Sequence, residues 1–329
     1  MFRGRGPLRS LVAISRRTLY SNVNPNSKLL IRSKSPLEIS CLPSHEADRS
    51  AVILPECNKF CVESGWKILQ TDDVQSEKNE VYKIQVPAQR GWIVPDLSIN
   101  SAGDVIGSGY LEGNINLTTK GSFKADNVTG QSIDLRFGGT TLAVHSAYCE
   151  TMNLNWIVPE EPPDGVTPVE LPPISVYFGT LRGNATIELA GDANFNIGSF
   201  EGTMYMRQRF GNVAVHIGGP CPLLEIYVAE GNIELSLPTT SVGEKICGAV
   251  EIQASEIEID RDALPPNCLD NWDLGEAAEA QTFSANFNDP DADSETIWRV
   301  RTLRGRVRLT GASWTDAMLR CHKRISTTL

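Results

Sequence analysis

The sequence lacks any long apolar run. No segment approaches the ~20 consecutive apolar residues that a membrane-spanning helix needs. A secretory signal would need a central apolar run of about 7–15 residues, and the best run near the amino terminus, Leu11–Ile14, is four residues long. We therefore expect neither a transmembrane segment nor a secretory signal.

Catalytic motifs are missing as well. The chain contains no G-x-x-x-x-G-K-[ST], G-x-G-x-x-G, H-E-x-x-H or G-x-S-x-G pattern, which would indicate phosphate, dinucleotide, zinc-protease or serine-hydrolase sites. Histidine is scarce, and each of the four is more typical of a surface or satisfied core residue than of a catalyst: His45, His145, His216 and His322. We therefore predict a protein that is not an enzyme, with no catalytic, cofactor or metal site.

The eight cysteines include no C-x-x-C pair. Their single close spacing is Cys57-x3-Cys61, and the others are scattered: Cys41, Cys149, Cys221, Cys247, Cys268 and Cys321. A chain of 329 residues can bury a core without disulfide bonds. We therefore expect most of these cysteines to be reduced, buried side chains.

Acidic residues are absent from the first 37 positions, where eight basic residues occur before Glu38. The same segment is rich in Arg and Ser, and its apolar residues can share one helical face. That composition is typical of a mitochondrial transit peptide. We therefore expect import into mitochondria, with the matrix as the destination.

From Glu38 onward the chain carries 22 basic and 40 acidic residues, a net charge of −18. So acidic a body would repel a phosphate backbone, which argues against nucleic acid as a partner. The partner class that remains is protein, and homo-oligomer formation stays open.

The main positive signal is a repeat in which glycine is followed by x-apolar-x-apolar. It recurs at residues 113–117, 183–187, 202–206, 211–215, 231–235, 248–252 and 305–309. In the second half of the chain its glycines stand at positions 183, 202, 211, 231 and 248. This spacing indicates a unit of about nine residues and a full turn of about 18–20 residues, within the range of stacked β-repeats.

Strict alternation predicts short strands that each bury one face. Glycine, often as Gly-Asn, supplies the corners between them. No single unit can bury its apolar row alone, so the units must stack. We therefore predict an all-β protein, a β-solenoid of short stacked strands, with an ordinary β-sandwich as the alternative.

At this point the sequence resembles a known family. The Gly-Asn-Ile units at 113 and 231, the segment Glu46–Arg49 and the basic leader are similar to the "putative adhesin" family of β-repeat domains, and specifically to an uncharacterised animal member with a mitochondrial presequence. The resemblance spans roughly residues 35–315. It implies a right-angled stack of short strands and no catalytic residues.

Composition divides the chain into seven regions. The leader is followed by amino-terminal strands or a cap, then by two repeat halves separated by a Pro-rich acidic loop, a flexible acidic insertion, and final strands with a short helical cap. In chain order, these regions are residues 1–34, 35–95, 96–156, 157–173, 174–262, 263–296 and 297–329.

Two acidic patterns suggest chemistry. Glu256, Glu258, Asp260 and Asp262 share one strand face, which favours a solvated edge over the convergent pair of a glycosidase. Residues 289–295 place acids at alternate positions, as calcium loops do, but lack the loop glycine. Whether this loop binds calcium stays open.

The leading functional hypothesis is a non-catalytic scaffold or protein-interaction module in mitochondria. A carbohydrate-active β-helix enzyme and a secreted adhesin are the alternatives. The enzyme would need two carboxylates from adjacent repeats about 5–10 Å apart in a groove. The adhesin would need a leader that does not direct import.

Overall fold

The computed structural model describes residues 19–20, 28–41, 51–52, 60–63, 67–70, 82–86, 96–157, 173–239, 248–262, 264, 269–277, 280–287 and 297–328. Nearly all of its regular structure is strand. The elements are β1 (Leu19–Tyr20), β2 (Lys28–Ser33), β3 (Leu37–Cys41), β4 (Ala51–Val52), β5 (Phe60–Glu63), β6 (Lys67–Gln70), β7 (Tyr82–Val86), β8 (Asp96–Ser101), β9 (Val105–Glu112), β10 (Asn114–Thr119), β11 (Phe123–Phe137), β12 (Thr141–Trp156), β13 (Ile174–Phe210), β14 (Val213–Ile217), β15 (Leu223–Glu230), β16 (Ile233–Pro238), β17 (Gly248–Ala254), β18 (Glu256–Ile259), β19 (Leu269–Ala277), β20 (Ala280–Phe287), β21 (Ile297–Arg304), β22 (Arg306–Ala312) and the helix α1 (Trp314–Thr328).

Most strands pair in parallel with a partner about one repeat further along the chain. Ile115 pairs with Ile133, and Ile133 pairs in turn with Met152. In the second half of the chain Val213 pairs with Ile233 in the same way. The prediction of a mainly β protein is therefore confirmed, and most of its strands belong to one large sheet in which parallel pairing dominates.

The pairings divide into two ladders. The first ladder contains β6, β2, β8, β10, β11, β12, β13, β15, β21 and β17 in spatial order. The second ladder contains β7, β3, β9, β11, β12, β13, β14, β16, β22 and β18. The long strands β11, β12 and β13 contribute a different segment to each ladder.

The inward faces of the strands form one continuous hydrophobic core. Along the first ladder, neighbouring strands place buried apolar side chains next to one another: Ile31, Ile99, Leu117, Leu135, Leu154 and Ile187, then Met206, Ile226, Val300, Ile252 and Phe283. The isoleucines of three repeat units, Ile115, Ile187 and Ile233, are at most 2% exposed. Their predicted inward orientation is therefore confirmed.

The repeat glycines stack at two corners of the chain. At one corner Gly211 N donates to Glu230 O at 3.0 Å, and Gly231 N donates to Arg304 O at 2.8 Å. Gly231 has a φ of 149°, and a Cβ there would collide with the carbonyl oxygen of Gly211. Glycine is therefore required for both its conformation and its close approach. The other corner column contains Gly113, Gly130, Gly183 and Gly202.

Asparagine after glycine has a structural role. Asn212 Nδ2 donates to Asn194 Oδ1 at 3.2 Å, and Asn232 Nδ2 donates to Asn212 Oδ1 at 3.2 Å. Asn232 Oδ1 then accepts the backbone N–H of Arg306 at 3.0 Å. Side-chain amides thus form a hydrogen-bonded row next to the glycine column, which explains the recurrence of Gly-Asn.

The strands are out of sequence order at both ends of the ladders. Strands β2 and β3 lie between the β8–β9 pair and the β6–β7 pair, although they precede both in the chain. Likewise β21 and β22 lie between the β15–β16 pair and the β17–β18 pair. The last strands of the chain are therefore inserted between earlier ones.

The charges of the inserted strands complement those of their neighbours. Arg299 contacts Glu225 at 3.0 Å on one side and Glu251 at 3.5 Å on the other. On the second ladder Arg306 and Arg308 contact Glu258 at 3.2 and 3.4 Å. Each exposed pair contributes only about 0.2–1 kcal/mol, but their arrangement favours an arginine-rich strand between two acidic ones.

The acidic segment 263–296 differs from its prediction as a flexible insertion. Strands β19 and β20 form an antiparallel hairpin, and β20 pairs with β17. Phe283 and Ala285 alternate with polar residues and are 2% and 4% exposed. The acids at this edge masked the alternation in the sequence-based prediction.

The boundary of the predicted leader at residue 34 is also wrong. Residues 28–33 form β2, and Ile31 is fully buried in the core. Three predicted features lie outside the described residues: the transit peptide over 1–18 and 21–27, the Pro-rich loop over 158–172, and the acidic pattern over 289–295.

Helix α1 lies against the outward face of the second ladder. Ser313 caps its first turn, since Ser313 Oγ accepts the Asp316 N–H at 3.1 Å. Cys321 Sγ donates to Phe178 O at 3.3 Å, and Arg320 contacts Glu234 at 3.0 Å. Within the described residues no helix has the length and apolar character of a transmembrane span.

Candidate functional site

A groove of about 790 Å³ lies on the outward face of the first ladder. Residues of β12, β13, β15 and β21 line it. Ala190 and Ala229 occupy outward positions where neighbouring strands carry long side chains, so they leave a depression. Arginine and tyrosine side chains surround this depression, and we name it the arginine groove.

Strand register fixes the shape of the groove. Arg207 pairs with Tyr227, and Tyr227 pairs with Arg301, so these three residues form a row across the strands. Arg209 lies two residues after Arg207 and faces the same way. The lining continues beyond Arg207 to Glu188 and Asn155, which pair with each other, so β13 and β15 form the floor of the groove and β12 and β21 its two walls.

The arginines of the groove differ in their partners. Arg299 is held between Glu225 and Glu251. Among the described residues, no carboxylate lies within 4 Å of the guanidinium groups of Arg207, Arg209 or Arg301. The groove therefore concentrates unneutralised positive charge on a body that is acidic as a whole.

Aromatic rings support two of these arginines. The guanidinium carbon of Arg207 lies 5.4 Å from the centre of the Tyr205 ring, and that of Arg209 lies 4.9 Å from the centre of the Phe210 ring. Cation–π contacts of this kind are worth about 0.5–1 kcal/mol at exposed sites. They restrict the side chains while the N–H groups stay available to an anion.

The predicted absence of a catalytic histidine stays a prediction. His216 is 2% exposed, and its Nδ1 lies 2.9 Å from Ser236 Oγ. Burial, together with the charge of Arg320, lowers the pKa of His216 to about 4. The imidazole is therefore neutral at physiological pH, and it lines a small space of about 30 Å³ beside helix α1.

Three cysteines with described side chains are free: Cys149, Cys221 and Cys321. Burial raises the pKa of Cys149 to about 11 and that of Cys221 to about 12. Both are therefore thiols rather than reactive thiolates near neutral pH. The side chains of the other five cysteines lie outside the described part of the chain.

Two of the four carboxylates of the acidic strand face at 256–262 pair with arginines instead of facing solvent alone. Glu258 contacts Arg306 and Arg308, and Asp260 contacts Arg308 at 3.7 Å. These carboxylates are bound in the inserted arrangement and do not converge across a groove. Within the described ranges, no cluster of three or more His, Cys, Asp or Glu side chains could hold a metal ion.

The sequence carries a local signal for each half of the arginine groove. Arginine alternates with apolar or buried residues in Met206–Phe210 and again in Trp298–Arg301. Alternation places the arginines of each segment on one face. Only the pairing of both segments with β15 brings the two sets together, because they are far apart in sequence.

No family model matches the chain, and no curated protein matches it. A solved structure described as a "putative cell adhesion protein from Clostridium sporogenes ATCC 15579" is similar over 90% of this chain and 98% of that chain, with 12% identity and a TM-score of 0.15. Nothing about the fold or function of this chain follows from so low a TM-score.

Proposed function

We propose that the chain is a β-solenoid interaction module of mitochondria, not an enzyme, and that the arginine groove is its contact surface for an acidic partner protein. The parallel ladders, in which each strand pairs with the next copy of the repeat, support the solenoid. The acid-free leader supports the destination. The resemblance to the "putative adhesin" β-repeat family belongs to the same proposal.

The observation that carries this proposal is the set of three arginines without a carboxylate partner in one groove. Arginine is the side chain best suited to carboxylate recognition at interfaces, because its planar fork donates two parallel hydrogen bonds. Tyrosine and arginine are also the residues that contribute most to binding energy in protein interfaces. The groove brings both types together on a rigid sheet.

The groove does not support the glycosidase alternative. Glu188 and Glu225 are the carboxylates that line it, and Glu225 is held by Arg299 at 3.0 Å. A glycosidase needs one carboxyl group that donates a proton and a second that acts as base or nucleophile. An ion-paired glutamate among arginines suits neither role, so a binding function is favoured.

Proximity labelling in mitochondria tests the proposal. The full chain carries the labelling enzyme, and three forms are compared: wild type, the R207A/R301A double variant and the R136A control. Arg136 is an exposed arginine on the same face of the first ladder, outside the groove. We expect a set of acidic proteins to be lost only from the double variant. An unchanged set in the double variant would refute the assignment of the groove.

A further inference from the structure

The two ladders end differently on the side of β17 and β18. Strand β17, the last parallel strand of the first ladder, is covered by the antiparallel strand β20, and its inward residues Val250 and Ile252 are at most 2% exposed. Strand β18, the last strand of the second ladder, pairs with β22. Among the described residues no strand pairs with its opposite edge, which we name the β18 edge.

The hydrophobic core stays open along the β18 edge. Ile257 and Ile259 continue the inward rows of the second ladder, next to Val307 and Leu309 of β22. Both residues of β22 are fully buried, whereas the two isoleucines are only partly buried against the core. One more strand at this edge would bury their remaining apolar surface, as β20 does for β17.

Backbone hydrogen bonding is incomplete at the same edge. Glu256 N and Asp260 N donate to carbonyl oxygens on the β22 side, at 3.4 and 2.9 Å. Alternation in a parallel ladder therefore directs the N–H groups of Ile257 and Ile259 away from β22. Ile257 N donates to Gln281 Oε1 at 2.7 Å, and within the described ranges Ile259 N has no partner. A side-chain amide thus takes part of the place that a strand would fill.

Charge specifies the residues that suit an added strand. The outward positions of β18 are acidic, and Glu258 and Asp260 contact arginines of β22. Glu256 is exposed, and its carboxylate has no partner in the described part of the chain. Outward side chains of an added strand would lie next to these acids from the other side. Basic residues therefore suit its outward positions, and apolar residues suit its inward ones.

We propose that the β18 edge binds an extended segment of a partner protein in which apolar and basic residues alternate, so that this segment adds one strand to the second ladder. In strand addition, backbone hydrogen bonds provide affinity and alternate side chains provide specificity. Strand β22 has the same chemistry, because Arg306 and Arg308 contact Glu258 while Val307 and Leu309 point inward. The site is separate from the arginine groove, so the inference does not rest on the proposed function.

The ends of the ladders argue against a second copy as the occupant. Strands β20 and β19 extend the first ladder by two strands beyond β17, while the second ladder stops at β18. At the opposite end the first ladder is again the longer one among the described strands, since β5 pairs with β6 and no strand lies beyond β7. Neither end of a second copy therefore offers a projecting strand of the second ladder that would fill the step beside the hairpin.

Fluorescence anisotropy with the full chain tests the inference. The probe is the dye-labelled peptide GSRVRLTG, which contains the alternation of residues 306–309. Its isomer GSRRVLTG has the same composition and charge, but in either register it presents only one apolar residue to the inward side. Loss of one buried apolar side chain costs about a factor of ten or more. We therefore expect the isomer to bind at least about tenfold more weakly, and equal affinities would overturn the proposal.

N-methylation of the probe tests the backbone pairing. One form of GSRVRLTG carries N-methyl groups on its two arginines, and another carries them on valine and leucine. An added strand pairs with β18 through one of its two edges, so we expect one form to lose binding and the other to bind as the unmethylated peptide does. Loss in the arginine form indicates a parallel segment, and loss in the other form an antiparallel one. Equal effects of the two methylations would overturn strand addition.

Charge variants locate the binding site on the chain. Glu256→Lys should weaken the binding of GSRVRLTG by about threefold, because one exposed attraction becomes a repulsion. Glu150→Lys is the matched control, since Glu150 is also an exposed acid and the change in net charge is the same. Equal effects of the two variants, or no binding of GSRVRLTG to the wild type, would overturn the proposal. Self-association in analytical ultracentrifugation that Glu256→Lys abolishes would assign the β18 edge to a second copy instead.

Discussion

Ile233 provides a direct test of the core, because ladder partners hold it on both sides. It pairs with Val213 and with Val307 and is 1% exposed. Truncation of a buried isoleucine to alanine costs about 2–5 kcal/mol, and more where the neighbours cannot close the cavity. Ladder hydrogen bonds fix both neighbouring strands, so we expect Ile233→Ala to lower the free energy of unfolding by about 3–4 kcal/mol.

Urea denaturation followed by tryptophan fluorescence measures this loss, since Trp298 is fully buried in the inserted strand β21. With an m-value of about 3 kcal/mol/M, the midpoint should fall by about 1 M. Ile106→Ala is the matched control, because Ile106 is an isoleucine of the same ladder that is 40% exposed. It should cost less than about 1 kcal/mol. Equal losses for the two variants would show that the assignment of inward and outward faces is wrong.

Four further predictions concern other parts of the chain. Gly231→Ala should cost more than about 2 kcal/mol by the same denaturation assay, because it adds a Cβ against the Gly211 carbonyl at positive φ. Deletion of 269–287 should lower the melting temperature measured by circular dichroism, because the hairpin covers β17. An unchanged melting temperature would instead support the interpretation of this segment as a flexible insertion. Residues 1–35 fused to a reporter should direct it into mitochondria, as seen by microscopy. A cytosolic or secreted reporter would refute the prediction that the leader is a mitochondrial transit peptide. The free energy of unfolding of the wild type should decrease as the pH falls from 6.5 towards 4, by up to about 1.4 kcal/mol per pH unit. The reason is that the pKa of His216 is about 4 in the folded state, against 6.5 for the free group, so the unfolded state binds the proton more tightly. The decrease should be smaller in His216→Gln.

The repeat units were predictable because their signal is local. Residues 113–117 and 231–235 each combine a corner glycine with alternating apolar residues, and both the φ of the glycine and the burial of the isoleucine follow from that pattern. The hairpin at 269–287 was missed because acidic residues outweighed a short alternation around Phe283.

Spatial order was not predictable from the same signal. The insertion of β21 between β15 and β17 depends on long-range pairing, and alternation is the same in every strand. The contacts of Arg299 with Glu225 and Glu251 give a physical reason for that order, but only once the three strands are known to be neighbours. The arginine groove was missed for the same reason, since its two walls come from distant segments.

The most direct test of the central claim is site-specific photocrosslinking of the full chain in mitochondria, with the photoreactive residue at position 227 on the floor of the groove. Position 116, an outward residue of the same ladder, is the control. We predict that crosslinks from position 227, mapped by mass spectrometry, fall in an acidic segment of a partner protein and disappear in the R207A/R301A background. Crosslinks no more abundant than those from position 116, or crosslinks to neutral or basic segments, would contradict the proposal that this groove is the binding surface.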